Sequence, residues 1–146
     1  MDIRTATHDD IPAMAELLHQ LFAIETDFTP DYAAQARGLT LLVERPSTRI
    51  FVAEVDGEVV GMCTVQIIVS TALGMQVGVV EDVVVDVAHR GRSIGSALML
   101  SVERWAAEAG LGRLQLLADR DNGPALCFYR QQGWKQTNLT GWMKAL

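Results

Sequence analysis

A turn between a valine-rich run and an amphipathic segment contains residues that could bind a ligand. They are Arg90, Gly91, Arg92, Ser93, Ile94, Gly95 and Ser96. A turn that opens a helix presents unpaired backbone N–H groups at the positive end of the helix dipole, so it can bind a phosphate without an obligatory side chain. The spacing matches neither the loop of nucleoside triphosphate sites nor that of dinucleotide sites. The turn predicts a pyrophosphate site of another kind, although a purely structural loop fits the same residues.

A second stretch, residues 122–134, has the pattern of a short helix that begins at Asn122 and ends at Gly133. Asn122 and Tyr129 are seven residues apart, about two helical turns, so they lie on one face roughly 10 Å from each other. Side chains placed in this way can line one elongated ligand. The alternative is that Asn122 is a plain helix cap and Tyr129 a half-buried aromatic residue.

Two adjacent carboxylates, Glu81 and Asp82, interrupt a run of valines that precedes the turn. Side chains alternate across a strand, so these two should point to opposite faces, each between apolar neighbours that raise its pKa. Only one of them could then face a cleft. In the alternative, one carboxylate forms a buried salt bridge and the other lies at the sheet surface.

Together these motifs resemble those of the GNAT superfamily of N-acetyltransferases, which transfer an acetyl group from acetyl-coenzyme A to an amine. The family's loop, Arg/Gln-x-x-Gly-x-Gly/Ala, falls on residues 90–95. Its later positions fall on Asn122, Ala125, Tyr129, Gly133 and Trp134. The resemblance follows the element order of the whole chain and is specific over residues 77–134. Ser93 stands where the family has Gly, so its side chain should point away from the phosphates or donate to them.

The resemblance implies acetyl-coenzyme A as the donor cosubstrate and no metal. The backbone of Val83, Val84 and Val85 would pair with the pantetheine arm as an added strand does. The turn at residues 90–96 would bind the pyrophosphate, and Asn122 would bond the pantetheine. Tyr129 would stand near the sulfur and, with a pKa of about 10, return a proton to a thiolate of pKa about 8.5.

Acetyl transfer by direct attack requires a neutral amine, whereas an alkylammonium has a pKa of about 10, so a carboxylate or a water bound to one should remove the proton. Glu81 is the favoured base and Asp82 the other candidate. Residues 78–85 look like the corresponding strand of glucosamine-phosphate N-acetyltransferases. The alternative function is a non-catalytic acyl-coenzyme A sensor or assembly module of the same fold, and the presence of Tyr129 with an acid pair favours the enzyme.

The elements that must position these residues follow from periodicity and turn chemistry. A helix capped at Thr7 and Asp10, a second helix from Asp31 towards Glu44, and a hairpin turning at Asp56-Gly57 precede the valine-rich strand. After the helix that follows Gly95 come a strand at residues 113–118, the short helix and a closing strand or hairpin at residues 134–144. We expect one domain over residues 1–146, of mixed α/β class. Its sheet should be mostly antiparallel and GNAT-like, with splayed central strands and helices on both faces.

Composition limits the choice of partners. The 146 residues are 49% hydrophobic and carry a net charge of −6, which argues against nucleic acid as a partner. The charge is −10 over residues 1–86 and +4 over residues 87–146, as expected if the second half binds an anion such as coenzyme A. Glu25, Asp27 and Asp31 lie where the first two helices join. We therefore expect a small cationic or neutral amine as acceptor.

Other features of the sequence concern membrane association, cellular location, metal binding and assembly. No apolar run is long enough for a bilayer span, so no membrane association is expected. The acidic first residues lack the order of a signal peptide, which indicates a cytoplasmic location. Cys63, Cys127 and the three histidines have no metal-ligand spacing. Many relatives are dimers, so a homodimer is among the assemblies that the resemblance allows.

Overall fold

Five strands and four helices follow one another in this computed structural model, which describes all residues from Met1 to Leu146. The strands are β1 (Asp2–Thr5), β2 (Thr48–Val55), β3 (Glu58–Ser70), β4 (Met75–Val85) and β5 (Leu114–Leu116). The helices are α1 (Ile11–Ile24), α2 (Tyr32–Glu44), α3 (Ile94–Glu108) and α4 (Gly123–Gln131). No helix combines the length and apolar character that crossing a bilayer would require. The chain divides into two compact units, Met1–Leu116 and Leu117–Leu146, and a single domain over the whole chain stays a prediction.

The first unit is built on one sheet whose strands lie in the order in which they occur along the chain. The first four strands pair antiparallel, whereas β5 pairs parallel with β4. A parallel pair needs a crossover connection, and α3 supplies it. The predicted mixed, mostly antiparallel sheet with helices on both faces is confirmed.

Both hairpins depend on short turns. Asp56 and Gly57 have φ values of 51° and 83°, the pair of positive angles that a two-residue turn between twisted strands requires, so the predicted hairpin is confirmed. The second hairpin joins β3 to β4. The β3–β4 turn closes over four residues, with the Gly74 amide donating to the Ser70 carbonyl oxygen at 2.8 Å.

Helices α1 and α2 cover one face of the sheet. The apolar residues of α1 recur at helical spacing, and Met14, Leu17 and Leu18 are buried as predicted. They pack with Leu39 of α2 against side chains of three strands: Ile50, Val52, Met62 and Val84. We call this side of the sheet face A.

Helix α3 covers the opposite side, face B. A side chain at Gly61 would meet the side chains of Leu98 and Ile94 at 3.2 and 3.3 Å, so this strand position must be small for α3 to approach. Of the apolar residues of α3, Leu98 and Val102 are buried and Trp105 is half-buried. Ala109 is exposed because the helix has already ended there.

The second unit consists of α4 and the chain around it. Its closing strand, predicted at residues 134–144, is absent, and that prediction is wrong. The Leu139 amide donates to the hydroxyl of Thr137, a local bond that competes with strand pairing. Leu139, Trp142 and Met143 are all exposed.

A partly buried ion pair connects the start of the chain to the sheet. Arg4 donates two bonds of 2.8 Å to the carboxylate of Asp10 and one of 2.9 Å to Glu54 of β2. Asp10 also accepts from the Thr7 amide, which closes the cap of the first helical turn. The Arg4 guanidinium lowers the pKa of Asp10 from 3.8 to about 2.

This ion pair makes stability depend on acid. Asp10 has a lower pKa in the folded state than in the unfolded chain, so its contribution is complete above pH 3.8 and is lost as the pH falls to about 2. We expect Asp10→Asn to lower the free energy of unfolding at pH 6 by about 2 kcal/mol and to have little effect near pH 2. Denaturant titrations at both pH values measure the difference. Asp9→Asn, at an exposed neighbour, is the control, and equal losses at the two pH values would contradict the assignment.

Candidate functional site

Strand β4 has a partner on both edges over only part of its length. Its pairing with β5 joins Gly78, Val79 and Val80 to Leu114–Leu116 and goes no further. Its pairing with β3 continues to Val85. The β4 backbone at Val83, Val84 and Val85 is therefore without a strand on the β5 side, as the resemblance predicts. An extended ligand arm could pair with this edge as a strand would.

A bulge in β4 stands next to this open edge. Met62 faces Val84 and Thr64 faces Glu81, so one residue of β3 opposes two of β4, Asp82 and Val83. Asp82 has a φ of 54°, in the left-handed region that side chains other than Gly and Asn rarely adopt. A bulge of this kind re-aims side chains and is frequent beside active sites.

The bulge brings the two carboxylates to one face, and the expectation that they point to opposite faces is wrong. Glu81 lies directly opposite Thr64, which places it on face A with its partner. Asp82 accepts a hydrogen bond of 3.1 Å from the hydroxyl of the same threonine. The extra residue interrupts strict alternation, so two successive side chains share a side.

The two carboxylates differ in their surroundings. Glu81 is exposed, whereas burial raises the pKa of Asp82 from 3.8 to about 6. The negative charges of Glu81 and of Glu25, at the end of α1, raise the pKa of Asp82 further, and the Thr64 hydrogen bond lowers it. Asp82 is thus harder to ionise than an ordinary aspartate, whereas Glu81 is in contact with water.

The turn after β4 is held in place by side chains from two directions. The Arg90 side chain donates from Nε to the Val85 carbonyl oxygen at 3.0 Å, which bends it back onto the strand that it follows. Gln20 of α1 donates to Asp86 at 2.9 Å and accepts from the Val87 amide at 3.3 Å. Sequence reasoning missed Gln20, because an isolated glutamine on an amphipathic helix carries no signal of a long-range contact.

The N-terminus of α3 has the chemistry that a phosphate needs. The first turn carries no acidic side chain, and Arg92 is exposed beside it. Ser93 is the cap residue with φ 60° and ψ 14°, a left-handed conformation, and its side chain makes no capping bond. The preference for Gly in the family's pattern therefore has a conformational reason at this position, and Ser93 adopts the same backbone at a steric cost.

Asn122 and Tyr129 belong to the second unit, where both lie on α4 as predicted. The Asn122 side-chain oxygen accepts from the Ala125 amide at 3.2 Å and so caps the helix. Tyr129 is half-buried, with ring centroids 5.4 Å from Phe128 and 6.1 Å from Trp134. Their approach to β4 stays a prediction. No group of three or more His, Cys, Asp or Glu side chains is placed to hold a metal ion.

Comparison with known proteins decides the family. The acetyltransferase (GNAT) family matches residues 11–134 of the chain. The chain belongs to this family. The match contains the bulged strand, the turn and α3, together with Asn122 and Tyr129. The predicted family is thereby confirmed.

Two relatives act on amines that differ in structure. The chain is 28% identical over 138 residues to the aminoalkylphosphonate N-acetyltransferase of Salmonella typhimurium, covering 94% of this chain and 87% of that protein. It is 26% identical over 138 residues to the glucosamine 6-phosphate N-acetyltransferase of Trypanosoma brucei brucei, covering 92% and 89%. Both relatives are N-acetyltransferases, which supports an acetyltransferase here.

A solved structure supports the fold. An aminoglycoside acetyltransferase from an uncultured soil metagenomic sample superposes with a TM-score of 0.82 at 21% identity, over 99% of this chain and 95% of that one. At this identity the likeness concerns the fold alone.

The half-buried carboxylate of Asp82 predicts a loss of stability as the pH rises from 3.8 to about 6. The pKa of Asp82 is higher in the folded state than in the unfolded chain. The destabilisation that ionised Asp82 causes is therefore absent below pH 3.8 and complete above pH 6. We expect Asp82→Asn to raise the free energy of unfolding at pH 8 by about 2–3 kcal/mol and to leave it unchanged near pH 4. Asn tolerates the left-handed backbone, so the bulge should persist. Denaturant titrations measure the free energy of unfolding, with Asp2→Asn as the control. A lower free energy of unfolding of Asp82→Asn at pH 8 would refute the assignment.

Proposed function

We propose that this chain transfers the acetyl group of acetyl-coenzyme A to a primary amine of a small molecule, by direct attack within a ternary complex. The observation that carries the proposal is the arrangement on β4. One strand presents an open backbone edge at Val83, Val84 and Val85, and an acid pair directly before it. It then leads through the turn at residues 86–93 into the N-terminus of α3.

The residues present fit the donor. Its pantetheine arm carries amide groups that can pair with the open edge of β4, and its pyrophosphate suits the positive end of the α3 dipole. Arg92 adds positive charge, and Arg90 holds the turn against Val85. The Asn122 side-chain amide would donate to the pantetheine, since its oxygen already accepts from the helix.

Glu81 would serve as the base and Asp82 as its neighbour. The amine must lose a proton before it attacks, and an exposed carboxylate can pass that proton to water. Once Glu81 has passed this first proton to water, the neutral nitrogen forms a bond to the thioester carbonyl carbon, the carbon–sulfur bond breaks, and the second proton leaves the nitrogen for Glu81. The departing thiolate takes a proton from Tyr129, which regains one from water. Asp82, half-buried and bonded to Thr64, would hold the amine and keep Glu81 oriented.

The acceptor is proposed to be neutral or cationic. Glu25, Glu81 and Asp82 all contribute negative charge on face A, which attracts an ammonium group and repels a phosphate. The two relatives named above act on amines that carry a phosphonate or a phosphate, so substrate charge is the property on which this chain would differ from them. Asp27 and Asp31 lie in the same α1–α2 connection, and Asp31 caps α2.

Release of free thiol from acetyl-coenzyme A tests the function. At low salt we expect turnover with polyamines, amino alcohols or amino sugars, and slower turnover with a sugar phosphate of the same skeleton. Gly95→Asp is the control, because its carboxylate would repel the pyrophosphate and should abolish donor binding in a calorimetric titration. Donor binding without thiol release for any amine would instead identify a sensor, and preference for the phosphorylated amine would overturn the charge assignment.

Two substitutions test the proposed proton transfers. Glu81→Gln should lower kcat by about 10²-fold, with the largest loss at low pH, where the least free amine is present. Tyr129→Phe should lower kcat on a similar scale while donor affinity changes little, since the ring remains. Steady-state rates and donor titrations measure both effects, with Glu108→Gln as the control. If Asp82→Asn lowers kcat in this way and Glu81→Gln does not, Asp82 is the base and Glu81 is its neighbour.

A further inference from the structure

A glutamine inside the first unit has no partner for its amide. Gln35 of α2 is 8% exposed, and neither its Nε2 nor its Oε1 forms a hydrogen bond. Buried polar groups are almost always paired, because a buried group without a partner loses its bonds to water and receives none in return. We therefore expect the Gln35 amide to form hydrogen bonds with a bound ligand or a water molecule.

Gln35 occupies a position where the helix should be apolar. It lies four residues before Leu39, one turn along the same side of α2, and Leu39 belongs to the core on face A. Gln35 therefore lies on the buried side of α2, which faces the core on face A. A leucine or methionine here would continue the apolar stripe at no cost in unpaired polar atoms.

The path of the two helices places Gln35 at one end of face A. His8, just before α1, lies 3.3 Å from Glu44 at the end of α2, so the two helices run antiparallel. The first turns of α2 must then lie beside the last turn of α1. A ring contact of 5.3 Å between Phe22 and Phe28 ties the connection to the same end.

The same end of α1 reaches β4. Gln20 bonds Asp86 at the end of that strand, and Glu25 is close enough to Asp82 to act on its charge. On the sheet below, Thr64 lies opposite Glu81 and bonds Asp82. Gln35 therefore belongs to the side of the sheet, and to the end of the helix pair, at which the acid pair stands.

We propose that Gln35 is a specificity-determining residue, whose amide binds a hydroxyl group of the acceptor while the acceptor's primary amine meets Glu81. This inference rests on the proposed function and deepens it. An amide offers one donor and one acceptor side by side, which a hydroxyl can satisfy at once. A phosphate offers only acceptors and would leave Oε1 unpaired. The acceptor class is accordingly an amino alcohol, of which amino sugars are examples.

The test compares 3-amino-1-propanol with propylamine, which lacks only the hydroxyl. We expect the native chain to prefer the amino alcohol in kcat/KM by about 10-fold or more, since a site built for a hydroxyl rejects the analogue without it. Gln35→Met should reduce this preference to about onefold and retain activity on propylamine. Gln76→Met, at an exposed glutamine at the start of β4, should keep the full preference.

Further measurements separate selectivity from folding. Gln35→Met and Gln35→Leu remove an unpaired buried amide, so both should raise the melting temperature. Equal activity of the native chain on the two amines, or an unchanged preference in both variants, would overturn the inference while the acetyltransferase function stands. A lower melting temperature with equal loss of both activities would make Gln35 structural and overturn it as well. Absence of thiol release with every amine would instead remove the proposed function.

Discussion

The left-handed backbone of Asp82 is the constraint on which the site depends. A single extra residue in β4 costs a strained dihedral angle and a gap in the β3–β4 ladder. In return it brings Glu81 and Asp82 to one face and directs them towards α1 and α2. Without the bulge, alternation would send one carboxylate towards α3, where it would meet apolar side chains. The left-handed conformation therefore fits the proposed acid–base chemistry.

The rest of the first unit supports that strand from both sides. The apolar contacts of α1 and α2 on face A and of α3 on face B hold β4 in the centre of the sheet. Side-chain bonds from Gln20 and Arg90 then fix the turn that leaves it. The start of α3 is thus connected to the acid pair through about a dozen residues of restrained chain. A helix N-terminus and an acid–base group need such a rigid link if one ligand is to span them.

Sequence reasoning succeeded where the signal is local. The Asp56-Gly57 turn, the caps at Asp10 and Asn122, and the stripe of α1 each depend on a few neighbouring residues, and all were predicted. The bulge was not predicted, because Asp82 is neither Gly nor Asn and its bond partner Thr64 is distant in sequence. The unpaired amide of Gln35 was hidden for a similar reason: its burial depends on how two helices pack. The closing strand failed because alternation indicates a strand without showing that a neighbour exists to pair with it.

The brevity of β5 has a dynamic consequence. Only three of its residues pair with β4, whereas the ladder between β3 and β4 contains nine residue pairs. Backbone amides in so short a ladder exchange with solvent through local opening, at a free energy well below that of global unfolding. The edge of the gap beside Val83 can therefore move independently of the antiparallel part of the sheet. A long cosubstrate could enter and leave sideways, while the acid pair remains anchored in the part of the protein that opens last.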